Sequence, residues 1–124
     1  LCHDVRMMRA DRGYLCANEI QIGLSIPDEE LALFRHKMSA SAFFDTVQLA
    51  HRWTGPNAQA AGFVHATAAE EDLLPMALKK AQKLAPLGTD RVLFSQSKER
   101  IFGERPSING GNGAAHFLRN RGKH

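Results

Sequence analysis

The stretch from residue 11 to residue 33 constrains the fold of this chain more than any other, because a strand, a carboxylate, a glycine turn and a helix follow one another there. The apolar residues 14 to 17 favour a strand, and Gly23 allows a tight turn before the helix. Glu19 stands alone between this strand and the turn, in apolar surroundings where a carboxylate is costly to ionise. Proteins prepare a general base in such surroundings. The spacing by itself nevertheless favours a simpler interpretation, a solvent-facing glutamate at the end of a strand.

Short strands and helices are predicted on both sides of this stretch. Residues 1 to 10 alternate loosely between apolar and polar side chains, as in a strand that enters a sheet. Helices are predicted from residue 28 onward. Ser39 or Ser41 is expected to cap the second helix, which would run to about His51. These patterns predict a chain that is mostly helical after residue 27.

The part of the chain after residue 62 carries a strand signal and then a helix signal. Residues 63 to 66 predict a short strand. The acidic residues 70 to 72 favour the start of a helix, because negative charge stabilises a helix N-terminus. Leu74 and Leu78 recur at helical spacing and predict its buried face, and Pro75 is tolerated if it falls near the first turn.

Composition excludes several classes of protein. The chain has 124 residues, enough for one small domain, and its net charge of +3 does not predict a nucleic-acid partner. Two cysteines are too few for a secreted disulfide scaffold, so we expect a reducing compartment, namely the cytoplasm, or the peroxisome or mitochondrion if the source is eukaryotic. No apolar run approaches about 18 residues, so no membrane span is predicted. The histidines lack HxxxH or HExxH spacing, so no metal site is predicted.

Three segments, taken in order, resemble one enzyme family. Residues 12 to 24, RGYLCANEIQIGL, resemble an Asn/Pro-Glu-aliphatic-x-aliphatic-Gly motif. The segment from Trp53 to Val64 is similar to Thr-Gly … Ala … Ala … Gly-aliphatic-Val, and Leu73-Leu74-Pro75 resembles the start of the helix that follows it. Together they resemble the C-terminal half of the enoyl-CoA hydratase/isomerase (crotonase) superfamily over roughly residues 1 to 102, and look closest to its delta isomerases.

The resemblance implies an α/β fold, the C-terminal part of the crotonase-like ββα spiral. Residues 1 to 27 would end the spiral-core strands and carry the catalytic-type glutamate. Residues 28 to 102 would form the C-terminal helical region, and residues 103 to 124 a flexible tail. No stretch matches the CoA-holding loop or the Gly-Gly turn of the family's oxyanion hole, and the chain opens inside an apolar run. We therefore expect a fragment of a longer enzyme, inactive alone.

The resemblance also assigns chemistry to individual residues. Glu19 would be the acid/base of enoyl-CoA isomerisation or hydration in fatty-acid metabolism, and Asn18 before it leans slightly toward isomerases. Ile22 and Leu24 could line the acyl pocket, although core packing explains them equally well. Lys98 could bind the CoA phosphates, although a solvated surface lysine is the simpler interpretation.

Partners and cofactors follow from the same resemblance. The substrate would be an acyl-CoA thioester, with no metal or redox cofactor, and the intact enzyme would form homo-trimers or hexamers. The alternative comes from a different class: a truncated, non-catalytic chain that acts only as an assembly or interaction partner.

Overall fold

The computed structural model describes residues 1–102, and the tail predicted at residues 103–124 lies outside the described residues. In chain order the elements are β1 (Met7–Arg9), β2 (Tyr14–Leu15), a 3-10 turn (Glu19–Ile22), α1 (Asp28–Lys37), α2 (Ala40–Val47), β3 (Trp53–Thr54), α3 (Gly55–Ala60), β4 (Ala66–Ala68), α4 (Glu70–Leu84), a second 3-10 turn (Ala85–Gly88) and α5 (Arg91–Phe102). The α/β class and the helical character after residue 27 are confirmed. Within residues 1–102, no helix combines the length and apolar character needed to cross a bilayer.

Two short strand pairs hold the described chain together. Strands β1 and β4 pair in parallel, with Met8 opposite Thr67. Strands β2 and β3 pair antiparallel, with Leu15 opposite Trp53. The parallel pair brings the start of the chain beside the segment that precedes α4, and the antiparallel pair brings the Glu19 turn beside the core.

The core lies between α2, α3 and the segment that follows α3. Phe63 and Ala58 are fully buried, and Trp53 packs edge-on against Phe63 with ring centroids 5.2 Å apart. The buried Thr46 hydroxyl accepts a hydrogen bond from the Trp53 indole N–H at 2.8 Å and donates to the Ala42 carbonyl at 2.6 Å. Burying a polar group costs free energy unless it is hydrogen-bonded, so this pair of bonds lets the threonine lie in the core.

Side-chain caps set the starts of α2 and α3. The Ala42 N–H donates to Ser39 Oγ at 3.2 Å, so Ser39 rather than Ser41 is the cap of α2. Thr54 caps α3 in the same way. At α1 the capping position is Pro27, which supplies no side-chain acceptor, and the acidic first turn and basic last turn of α1 complement the helix dipole instead.

Two elements have different bounds from those that the sequence predicts. Helix α2 ends at Val47 rather than near His51, because the chain turns back through Ala50, at φ 49°, to deliver the next strand to the core. The strand predicted at residues 63 to 66 forms instead at Ala66–Ala68, since Phe63 and its neighbour are taken up by core packing.

The prediction that Leu74 and Leu78 lie on a buried face of α4 is also wrong for the described chain. Leu74 is 67% exposed and Leu78 is 54% exposed. Helix α4 begins at Glu70, so Pro75 lies in its second turn. The amphipathic pattern is present, but no part of residues 1–102 covers these leucines.

Candidate active site

The backbone around Glu19 forms a closed turn. Glu19 opens the 3-10 turn, and the Gln21 N–H donates to the Asn18 carbonyl at 2.9 Å. The turn ends at Gly23, whose φ of 73° lies in the left-handed region that side chains disfavour. The Leu24 N–H then donates back to the Glu19 carbonyl at 2.9 Å. One of these hydrogen bonds uses the carbonyl of the residue before Glu19 and the other uses the carbonyl of Glu19 itself, so the turn is closed around Glu19. The predicted glycine turn is confirmed.

The Glu19 carboxylate has an unusual environment. The residue is half-buried, and its Oε2 atom is buried with no hydrogen-bond partner within residues 1–102. Buried side-chain oxygens are usually hydrogen-bonded, because an unpaired one costs about 1–3 kcal/mol. The simpler interpretation, in which Glu19 faces solvent at the end of a strand, does not hold for this oxygen, because the oxygen is buried. An orphaned carboxylate oxygen on a rigid turn is able to accept a proton from a bound molecule.

Two further contacts position this turn, and sequence reasoning missed both. Pairing of β2 with β3 ties the preceding strand to the core. The Cys16 thiol donates to the Ala50 carbonyl at 3.3 Å, and Ala17 is buried at 4% exposure. No local signal predicts the thiol contact, since its two residues lie 34 positions apart. Cys16 thus has a structural contact rather than a nucleophile's surroundings.

The other residues predicted around Glu19 lie on the same turn or just after it. Asn18 is exposed and occupies the capping position, with no side-chain capping bond. Ile22 and Leu24 are each 61% exposed. Neither of these two apolar residues packs into the core of the described chain, so both leave uncovered apolar surface on the turn or just after it.

Lys98 is the one predicted site residue on a distant helix. Its ammonium group lies 2.7 Å from Asp4 Oδ2, and Lys37 Nζ lies 3.7 Å from the other oxygen of the same carboxylate. Burial alone would raise the pKa of Asp4, but Lys98 and Lys37 together lower it below its ordinary value. The ion pair ties α5 to the start of the chain, and the predicted contact of Lys98 with a CoA phosphate stays a prediction.

Residues 1–102 hold no group of three or more His, Cys, Asp or Glu side chains arranged to bind a metal ion. His65, one of the histidines, instead accepts a hydrogen bond from the Arg6 N–H through Nδ1 at 3.1 Å. The His65 ring is therefore hydrogen-bonded to the backbone directly before β1, at the start of the parallel strand pair.

The chain is similar to proteins of known family. No protein-family model matches it. It is 32% identical over 113 residues to enoyl-CoA delta isomerase 2, peroxisomal, of Arabidopsis thaliana, which covers 89% of this chain and 47% of that protein. The chain therefore spans about half the length of the curated relative that it matches.

Solved structures agree with this similarity. An apo enoyl-CoA isomerase of Mycobacterium tuberculosis superposes with a TM-score of 0.72 at 29% identity, over 81% of this chain and 43% of that chain. An enoyl-CoA hydratase of Mycobacterium marinum gives a TM-score of 0.69 at 28% identity, over 79% and 42%. The matched proteins thus carry both activity names on one fold. Motif order, fold and these relatives together confirm the resemblance of the chain to the enoyl-CoA hydratase/isomerase (crotonase) superfamily.

Proposed function

We propose that this chain supplies the acid/base part of an acyl-CoA-directed isomerase or hydratase of fatty-acid metabolism, with isomerisation of 3-enoyl-CoA to 2-enoyl-CoA favoured. One observation carries the proposal: the buried, unpaired Oε2 of Glu19 on a turn that its own hydrogen bonds hold in place. The family motif around it and the enzyme names of the relatives support the same choice.

The proposed reaction needs one carboxylate. Glu19 takes a proton from C2 of the 3-enoyl thioester, and the electron pair delocalises onto the thioester oxygen as a dienolate. Glu19 then returns the proton at C4, so that the double bond moves to C2–C3 and no atom is gained or lost. The reaction consumes no cofactor, and we propose none. In the family, backbone N–H groups from the half that this chain does not resemble hold the oxyanion.

Hydration is the nearer alternative within the same family. It adds water across the double bond and in this family typically uses a second carboxylate, which the resemblance places outside this chain. Asn18, where hydratases commonly have proline, leans toward isomerisation. We also propose roles for the other predicted site residues. Asn18, Ile22 and Leu24 contact the acyl part of the substrate, and Lys98 exchanges its bond to Asp4 for a bond to a CoA phosphate.

Assembly and location are also proposals. We propose a homo-trimer or hexamer for the intact enzyme. The Arabidopsis relative is named as peroxisomal. For this chain we keep the cytoplasm as the expected location, with the peroxisome or mitochondrion as alternatives.

The test uses a fusion protein in which the amino-terminal half of the Arabidopsis relative, the part that this chain does not resemble, precedes residues 1–124. Isomerase and hydratase turnover are measured on 3-enoyl-CoA and 2-enoyl-CoA substrates. We expect Glu19→Gln to lower kcat by about 10²–10⁴-fold, the usual contribution of a general base, with little change in KM. Glu71→Gln, at an exposed glutamate of α4, is the matched control and is expected to leave kcat unchanged.

The outcomes separate the two candidate functions. Wild-type turnover in the Glu19→Gln fusion would remove Glu19 from the mechanism. A folded fusion that binds acyl-CoA without turnover would favour the second candidate, a non-catalytic assembly partner. The observation behind that candidate is the large apolar surface that the described residues leave exposed. The 124-residue chain alone is expected to show no turnover.

A further inference from the structure

The bend between α2 and β3 holds a strained backbone position. Within residues 1–102, Ala50 is the only residue other than glycine with a positive φ, at 49°. A residue with a Cβ is disfavoured in this left-handed region and stays there only when its surroundings hold it. Ala50 is 4% exposed, and the N–H of the next residue, His51, donates to the Asp45 carbonyl of α2 at 3.0 Å. The bend is therefore buried and fixed to α2.

The other side of the bend is fixed to the core through Trp53. The His51 ring packs edge-on against the Trp53 ring, with centroids 4.4 Å apart. Trp53 is 8% exposed, its indole N–H donates to Thr46 of α2, and its backbone pairs with Leu15 of β2. The end of α2, the bend and β3 therefore form one block, and β2 lies against it.

The Cys16 thiol connects this block to the segment that carries Glu19. The thiol donates to the Ala50 carbonyl at 3.3 Å, and Cys16 is half-buried. Strand β2 ends at Leu15, so the strand pairing stops one residue before Cys16. Glu19 follows three positions after Cys16. The thiol bond therefore extends the attachment of the chain to the block beyond the end of the strand, toward the carboxylate.

The bonds inside the Glu19 turn cannot do the same. The Gln21 and Leu24 N–H groups both donate to carbonyls of residues 18–24, so these bonds fix the shape of the turn but not its place relative to the core. Glu19 Oε2 has no hydrogen-bond partner within residues 1–102, so its place depends on the backbone. Burial of Ala17, at 4% exposure, and the Cys16 bond are the contacts that place the backbone before the turn.

We propose that Cys16 is a positioning residue for Glu19: its thiol, bonded to the strained Ala50 bend, holds the turn where the carboxylate reaches the acyl chain. A general base acts only within hydrogen-bond reach of the proton that it takes, and a misplacement of about 1 Å can cost about 100-fold in rate. The thiol itself neither gains nor loses a proton in this role. The inference rests on the proposed function, because it assigns Cys16 a part in the reaction of Glu19.

The test uses the fusion protein described above. Cys16→Ala removes the donor to the Ala50 carbonyl, and Cys16→Ser keeps a donor at that position. Cys2→Ala is the matched control, because it makes the same change at an exposed cysteine. Turnover of 3-enoyl-CoA gives kcat and KM, and urea unfolding followed by circular dichroism establishes that each variant is folded under the assay conditions.

Cys16→Ala is expected to lower kcat by about 10- to 100-fold with little change in KM, because it displaces the base without removing a substrate contact. Cys16→Ser should restore most of the lost kcat, and Cys2→Ala should leave kcat unchanged. Added to Glu19→Gln, Cys16→Ala should lower kcat no further, because Cys16 acts through Glu19. Wild-type kcat in the folded Cys16→Ala variant overturns the proposal. A loss of kcat that is equally large in the Glu19→Gln background also overturns it.

Hydrogen exchange of the Leu24 N–H gives a readout that does not depend on turnover. This N–H donates to the Glu19 carbonyl at 2.9 Å, and its exchange requires the turn to open. Exchange is expected to be about 10-fold faster in Cys16→Ala than in Cys2→Ala, because the turn has lost its bond to the bend. An unchanged exchange rate overturns the proposal even if the fusion shows no turnover.

The two readouts separate the failure of this inference from the failure of the proposed function. Wild-type turnover in the Glu19→Gln fusion removes the proposed reaction, and with it the part of Cys16 in that reaction, whatever the exchange rate. A large loss of kcat in Glu19→Gln beside wild-type kcat in Cys16→Ala removes the positioning role alone.

Discussion

Gly55 offers the sharpest test of the packing described above. It is the buried first residue of α3, directly after the capping Thr54. A Cβ added at Gly55 would overlap the Arg9 backbone carbonyl oxygen and would lie 3.1 Å from Thr67 Cγ2. Arg9 and Thr67 lie on the paired strands β1 and β4, so the main obstacle is backbone that cannot rotate away. Gly55→Ala must therefore separate α3 from the strand pair.

The expected cost follows from two opposing effects. Inserting a methyl group into a well-packed site typically costs about 1–3 kcal/mol, and overlap with backbone puts this site at the upper end. Alanine in a helix gains at most about 1 kcal/mol over glycine. The packing cost is larger than the gain in helix propensity, so we expect the free energy of unfolding to fall by about 2 kcal/mol.

Urea unfolding followed by circular dichroism measures this change, and two other glycines are matched controls. Gly88 has open space and no positive φ, so Gly88→Ala should be neutral or stabilise the chain by about 0.4–1 kcal/mol. Gly62 also has open space but a φ of 86°, so Gly62→Ala should cost about 1–2 kcal/mol through backbone strain alone. Thr67→Ser in the Gly55→Ala background should recover only a small part of the loss, because Arg9 is the main obstacle. Equal stability of Gly55→Ala and Gly88→Ala would refute the reasoning.

Two further predictions concern the core and the strand pair. Thr46→Val removes the acceptor of the buried Trp53 indole N–H and should cost about 1–3 kcal/mol in urea unfolding; Trp53→Phe added to it should cost less than the sum of the two single changes, and strict additivity would contradict the hydrogen bond. Burial lowers the pKa of His65, and the positive charges of Arg6, Lys80 and Lys37 lower it further. Below the ordinary pKa of histidine, about 6.5, the unfolded chain therefore binds more protons at position 65 than the folded chain does. The contribution of His65 to the free energy of unfolding should be constant above about pH 6.5 and should fall as the pH drops below that value. His65→Asn, which keeps an acceptor for the Arg6 N–H, should flatten the stability profile below about pH 6.5; an unchanged slope would rule out His65 as its source.

Local chemistry explains what the sequence could predict. The glycine turn after Glu19, a serine cap at Ser39 or Ser41 and the family motifs all depend on residues within a few positions of one another. Backbone conformation there is decided by which residues tolerate a positive φ or offer a capping oxygen, and both are visible in the letters. The same local patterns, taken in order, predicted the resemblance that the comparisons then confirmed.

Tertiary structure decided what depends on distant segments meeting. The Asp4–Lys98 ion pair joins residues 94 positions apart, and the Cys16–Ala50 contact joins residues 34 apart. Amphipathic spacing shows that α4 has a face to cover but not which polypeptide covers it, so Leu74 was predicted to be buried and is exposed. Periodicity shows which face of a helix is suited to burial, whereas burial itself depends on what packs against that face. Within residues 1–102 no segment covers this face of α4.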